Sequence, residues 1–125
     1  MMTGSDERIG VGVRGEEIAA RYLERRGYRI VERRYRCRAG EIDLVAQEAG
    51  EMVFVEVKTR RGDTCGSPLE AVTRRKQNRL ILLARIYLAH RRLCDVPCRF
   101  DVVGIRVDAN GTDVQLVQNA FGVGD

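Results

Sequence analysis

Two acidic β-type segments joined by a short turn constrain this chain more than any other feature. The first is Gly40-Glu41-Ile42-Asp43-Leu44-Val45 and the second is Val53-Phe54-Val55-Glu56-Val57-Lys58. Both alternate polar and apolar residues and are rich in β-branched side chains, which reads as strand. Ala49-Gly50 lies midway and supplies the turn. A hairpin symmetric about that dipeptide places Asp43 directly opposite Glu56, with Cβ atoms roughly 4.5–5.5 Å apart. Lys58 projects from the same face as Glu56 because strand side chains repeat every two residues. The other face, Ile42, Leu44 and Ala46 against Val53, Val55 and Val57, is expected to be core. Opposed carboxylates destabilise a hairpin unless something compensates. A divalent cation is the natural compensator, and a metal beside a lysine suits phosphodiester hydrolysis.

The rest of the chain supplies a frame for that hairpin. At 125 residues it is expected to form one domain with a real core. Residues 15–26 read as a helix with an apolar stripe of Ile18, Ala19, Tyr22 and Leu23, ended by Gly27. Residues 28–36 read as a first strand, the hairpin as strands two and three, and 59–66 as a polar loop. Ser67-Pro68-Leu69-Glu70 carries a capping-box pattern with proline at the first helical position. It predicts one helix from there to about residue 89 or 92. Residues 99–107 and 113–118 read as strands four and five, joined by an Asn110-Gly111 turn. The segments 1–9 and 119–125 are expected to be flexible tails. A long helix between strands three and four permits a parallel pair, giving a mixed sheet flanked by helices.

Charge and composition narrow the partners. The formal net charge is +4, which favours a polyanion. Lys58 and Lys76 are the only lysines among 22 basic residues, so each marks a place where a compact amine is useful. Arginine pairs at 25–26, 33–34, 74–75 and 91–92 suggest nucleic-acid contacts. No apolar run reaches the ~18 residues that a membrane span requires. Residues 1–10 are polar and acidic without a secretory core, so the cytoplasm is the expected compartment. Cys37, Cys65, Cys94 and Cys98 match no zinc pattern well and are expected to be free, partly buried thiols. Gly10-Val-Gly-Val-Arg-Gly15 spells G-x-G-x-x-G but follows no strand, which argues against a dinucleotide site. His90, the sole histidine, falls at a helix end and suits the helix dipole. Asp101 is expected to serve structure.

The order of elements, with Asp43 on strand two and Glu56-Val57-Lys58 on strand three, resembles the PD-(D/E)XK nuclease superfamily. More closely, the chain resembles the YraN-like family through Gly15-Glu16, Tyr22-Leu23, Gly27-Tyr28, Gly40-Glu41-Ile42-Asp43-Leu44, Val53 to Arg60, Lys76 and Phe100-Asp101-Val102-Val103. It is also similar to archaeal Holliday-junction resolvases, with Ile42 in place of the name-giving proline. The resemblance implies a restriction endonuclease-like αβββαβ core and a Mg²⁺- or Mn²⁺-dependent endonuclease acting on DNA, including branched DNA. Asp43, Glu56 and the Val57 carbonyl would hold the metal, and Lys58 would orient the attacking water and stabilise charge. A first-helix glutamate joins the site in the resolvases. Glu16 holds the matching place, with Glu17 its neighbour. Arg60, Arg61, Arg74, Arg75, Lys76 and Arg79 are the expected DNA contacts, and a homodimer is the form in which junction-cutting relatives act. The alternative expectation is a nucleic-acid-binding module that keeps the fold without appreciable turnover.

Overall fold

The computed structural model describes residues 4–61 and 67–122, with side chains from residue 14 onward. The chain runs α1 (Gly4–Arg25), β1 (Arg29–Cys37), β2 (Gly40–Glu48), β3 (Glu51–Arg61), a 3₁₀ turn (Pro68–Ala71), α2 (Arg74–His90), β4 (Cys98–Asp108) and β5 (Gly111–Phe121). The five strands form one sheet in the order β1-β2-β3-β4-β5. The β3–β4 pair is parallel and the other three pairs are antiparallel. This is the expected mixed α/β architecture, consistent with a restriction endonuclease-like core. No helix among the described residues is long and apolar enough to cross a membrane.

Four boundaries differ from expectation. Helix α1 begins at Gly4, well before the expected start at residue 15, so residues 4–9 are helical, whereas 1–3 lie outside the described residues. The G-x-G-x-x-G run therefore lies inside a helix. At the other end, β5 reaches Phe121, which is buried and stacks on Phe100 at 4.9 Å between ring centroids. That aromatic contact draws residues 119–121 into the sheet, whereas 123–125 lie outside the described residues. Strand β3 runs on to Arg61, leaving residues 62–66 of the expected loop outside the description. Finally, the predicted single helix after Ser67 is two pieces. The Ser67 hydroxyl caps only the 3₁₀ turn, accepting from the Leu69 N–H. Val72 is extended and buried, and Thr73 caps α2 afresh by accepting from the Lys76 N–H. Burial of Val72 outweighs continuous helix at this point.

The sheet is covered on both sides. Ala19, Ala20 and Leu23 of α1 pack with Tyr28 on Leu44, Ala46, Val53, Val55, Val103 and Ile105. Leu80, Leu83, Ala84 and Tyr87 of α2 pack on Val45, Met52, Phe54, Phe100 and Val102. The hairpin face expected to be polar is thus mostly core, because α2 lies across it. Val45 is fully buried and Phe54 nearly so. Burying a side chain of this size contributes about 1.5–3 kcal/mol. Two glycines allow close layers. A Cβ on Gly15 would stand 2.6 Å from Thr59 Oγ1, so glycine lets α1 approach β3. A Cβ on Gly104 would stand 2.5 Å from Pro68 Cγ, so glycine seats the 3₁₀ turn on β4.

A buried network locks the sheet on the hairpin-turn side. Asp101, fully buried, accepts from Tyr28 Oη at 2.7 Å, Arg99 Nε at 3.1 Å and the Asn119 N–H at 2.9 Å. Arg99 also pairs with Glu48 at 2.7 Å and Glu51 at 3.0 Å. Asp101 is therefore the structural residue expected of it, and every partner satisfies a group that burial would otherwise penalise.

Candidate metal centre and basic rim

Hairpin β2–β3 pairs in the expected register, from Glu48↔Glu51 to Leu44↔Val55. The ladder stops one pair short of Asp43 and Glu56. On its other side, β2 pairs Leu44 with Arg33 and Ile42 with Tyr35, passing over Arg34 and Asp43. The alternation of faces also breaks there. Ile42 packs on the α2 side and Leu44, two residues later, on the α1 side. Asp43 thus sits at a defect in both ladders. Its Oδ2 accepts the Val57 N–H at 2.8 Å, a side-chain substitute for the missing ladder bond. This N–H is the contact Val57 makes with Asp43.

Carboxylates converge on that defect. Oxygens of Glu16, Glu41 and Asp43 all lie within 4.8 Å of one another. Glu56 adjoins Asp43 from β3 and is 4 % exposed. Glu16 sits well inside α1, not in its first turn, and the Gly15 contact with β3 brings it over the sheet. Glu17 turns elsewhere, pairing with Arg21 at 3.0 Å and with Arg33. Glu41 was not anticipated from sequence. Its spacing of two from Asp43 along a strand was the available signal.

The electrostatics are those of acids crowded out of water. Burial first, and then the neighbouring Asp43 carboxylate, push Glu56 up to about 7. Asp43 is raised by burial although the Val57 N–H and Glu56 pull the other way. Burial and Asp43 also raise Glu16, against Arg34. Glu56 is bridged by Lys76, whose Nζ lies 3.7 Å from Oε2. Lys58 is near enough to favour the charged form of Glu56 but makes no ion pair among the described residues. A simple Glu56–Lys58 salt bridge is therefore not what holds these residues. Lys76, expected from sequence as a DNA contact, pairs with Glu56 and so adjoins the cluster.

Because Asp43 carries a repelling charge in this cluster, Asp43→Asn is expected to raise apo stability. The Asn carbonyl retains the Val57 contact, and the gain in EDTA should be about 0.5–1 kcal/mol. Metal-induced stabilisation should disappear in the same variant. Thermal melts with EDTA and with Mn²⁺ check both halves. Equal destabilisation under both conditions would make Asp43 a purely structural acceptor.

The basic residues divide. Arg33, Arg34 and Arg91 are taken up by Glu17, by Glu16 with Glu41, and by Glu32. Arg26 lies 4.8 Å over the Tyr22 ring. Several arginine pairs thus serve internal contacts. Arg74 and Arg75 are exposed on the first turn of α2. Thr73, Arg75, Lys76 and Arg79 line a shallow depression of about 290 Å³. Arg60 is half-buried on β3, beside Arg106 of β4. Cys37, Cys94 and Cys98 are free thiols, and Cys65 lies outside the described residues. His90 Nδ1 is 2.9 Å from Tyr35 Oη, so the ring docks on β1.

The fold and this cluster define a mixed α/β protein with a restriction endonuclease-like core and an acidic site able to hold a metal ion. The chain belongs to the uncharacterised protein family UPF0102, whose model matches residues 15–105. A UPF0102 protein of Symbiobacterium thermophilum is 54% identical over 112 residues, covering 89% of this chain and 95% of its own. Another from Syntrophus aciditrophicus is 44% identical over 115 residues, covering 92% and 91%. Among solved structures, Pyrococcus furiosus SfsA in complex with Ca²⁺ aligns with a TM-score of 0.36 and 16% identity, over 90% of this chain and 62% of that one.

Proposed function

We propose that this protein is a divalent-cation-dependent endonuclease that hydrolyses DNA phosphodiester bonds, with branched or repair-intermediate DNA as the substrate class. The observation that carries this reading is the convergence of Glu16, Glu41, Asp43 and Glu56 at one ladder defect, with Lys58 and Lys76 beside them. The donor set is all oxygen, which suits Mg²⁺ or Mn²⁺, and its mutual repulsion is what a cation would relieve. Asp43, Glu16 and Glu41 would hold the ion, with Glu56 and the Val57 carbonyl completing the set. When bound, it would supply Lewis-acid activation of a phosphate oxygen and of water.

The side chains contribute the rest. Burial and the Asp43 carboxylate raise Glu56 to about 7, and a bound cation would favour its ionised form. Lys58, which makes no ion pair among the described residues, donates to the water or to a phosphate oxygen and stabilises negative charge as it develops. Arg74, Arg75 and Arg79 on α2 extend the cationic rim away from Lys76 and would follow a phosphate backbone. The purified protein should cut at least one of plasmid, linear, single-stranded or branched DNA with Mg²⁺ or Mn²⁺ and not in EDTA. Absence of cleavage together with absence of metal binding in calorimetry overturns the proposal.

A second reading, a DNA-binding module without turnover, is favoured by one feature. Cationic side chains already neutralise part of the cluster, Lys76 on Glu56 and Arg34 on Glu16 and Glu41. That reading predicts salt-dependent DNA binding by an inert wild type.

A further inference from the structure

We infer that Arg34 is a resident counter-ion of the carboxylate cluster and sets how tightly the site takes a divalent cation. The inference rests on the metal-site reading above. Arg34 stands where β1 faces Asp43, at the pair that the β1–β2 ladder passes over. Its backbone is left-handed, with φ 54°, in the middle of a strand. A non-glycine residue holds that conformation only where its surroundings over-determine it, and such positions cluster at functional sites. Here the conformation directs the guanidinium to the cluster. Arg34 Nε lies 3.4 Å from Glu16 Oε1 and 3.4 Å from Glu41 Oε1.

Those are two of the three residues whose oxygens converge to within 4.8 Å. A guanidinium and a divalent ion therefore compete for the same lone pairs. The second oxygen of Glu41 is held separately by Arg36 Nε at 3.0 Å. Glu56 has its own cation in Lys76. Among the described residues Arg34 is thus the cation that pairs with both Glu16 and Glu41, and its side chain is 43% exposed, so it has solvent to swing into. Resident in the cluster, it spares the apo protein part of the carboxylate repulsion. The same contact makes every incoming ion displace it or bind beside a positive charge.

Calorimetric titration with Mn²⁺, at low and high ionic strength, separates this role from simple orientation of the glutamates. Arg34→Asn removes the charge, and asparagine tolerates the left-handed backbone better than most residues. Its fold is checked by melting in EDTA, with Arg34→Gly as a second charge-free variant if the first does not fold. The charge-free variant is expected to bind Mn²⁺ about tenfold more tightly than wild type at low salt. The gap should narrow at high salt. Arg34→Lys should stay closer to wild type. If wild type binds Mn²⁺ and the charge-free variant binds equally or more weakly, Arg34 orients ligands and the inference falls alone. If neither protein binds Mn²⁺, the metal-site reading falls with it.

Discussion

Lys58→Ala is expected to lower DNA cleavage by about 10²–10³-fold, the usual effect of deleting one group that stabilises transition-state charge. The fold should survive, because the buried core does not include this amine. Lys58 is only half-buried and makes no ion pair among the described residues. Truncation strands no buried carboxylate, since Glu56 keeps its bridge to Lys76. The stability change should stay within about 0.5 kcal/mol. DNA affinity should change little, and its salt slope by at most about one phosphate contact. Arg74→Ala with Arg75→Ala should do the reverse, weakening binding and flattening the slope while sparing the chemical step. Single-turnover cleavage beside a salt titration of binding distinguishes these outcomes. Equal loss of cleavage and affinity in Lys58→Ala would make it a binding residue.

Glu56→Gln should stabilise the metal-free protein, and by an amount that depends on pH. Glu56 is raised from 4.5 to about 7 in the folded protein. Between those values the folded state binds more protons than the unfolded state. Stability therefore falls as pH rises through this window, and the cost is complete above the folded value. A displacement of that size corresponds to roughly 3 kcal/mol. Losing the Lys76 bridge, which is partly exposed, takes back a fraction of it. We expect Glu56→Gln to match wild type near pH 4 and to exceed it by about 2–3 kcal/mol at pH 8 in EDTA. Urea unfolding at a series of pH values measures the difference. A constant difference across the series would show that Glu56 does not titrate in this window. For the same reason, metal binding by wild type should release a proton and strengthen as pH rises through 7.

Much of the architecture was legible in local pattern. Period-two alternation identified the hairpin, and the Ala49-Gly50 turn set its register. The long connection after β3 implied the parallel β4 that is observed. Asp43, Glu56 and Lys58 were visible because charged residues in an otherwise apolar strand need an explanation. What depended on distant segments was not visible. Phe121 joins the sheet because Phe100 offers a stacking partner. The helix after Ser67 breaks because Val72 has a core position to fill.

The site divides along the same line. Sequence by itself determined which residues share a strand and at what spacing, since that follows from backbone geometry and local sterics alone. Tertiary structure decided which charges meet. Glu16 was distinguished from Glu17 by the approach of α1 to β3 at Gly15. Lys76, not Lys58, bridges Glu56 because α2 crosses the carboxylate face. Arg34 enters the cluster through a left-handed residue at a ladder defect. Pairing of charges depends on separation and burial, and both exist only after helices and sheet have packed.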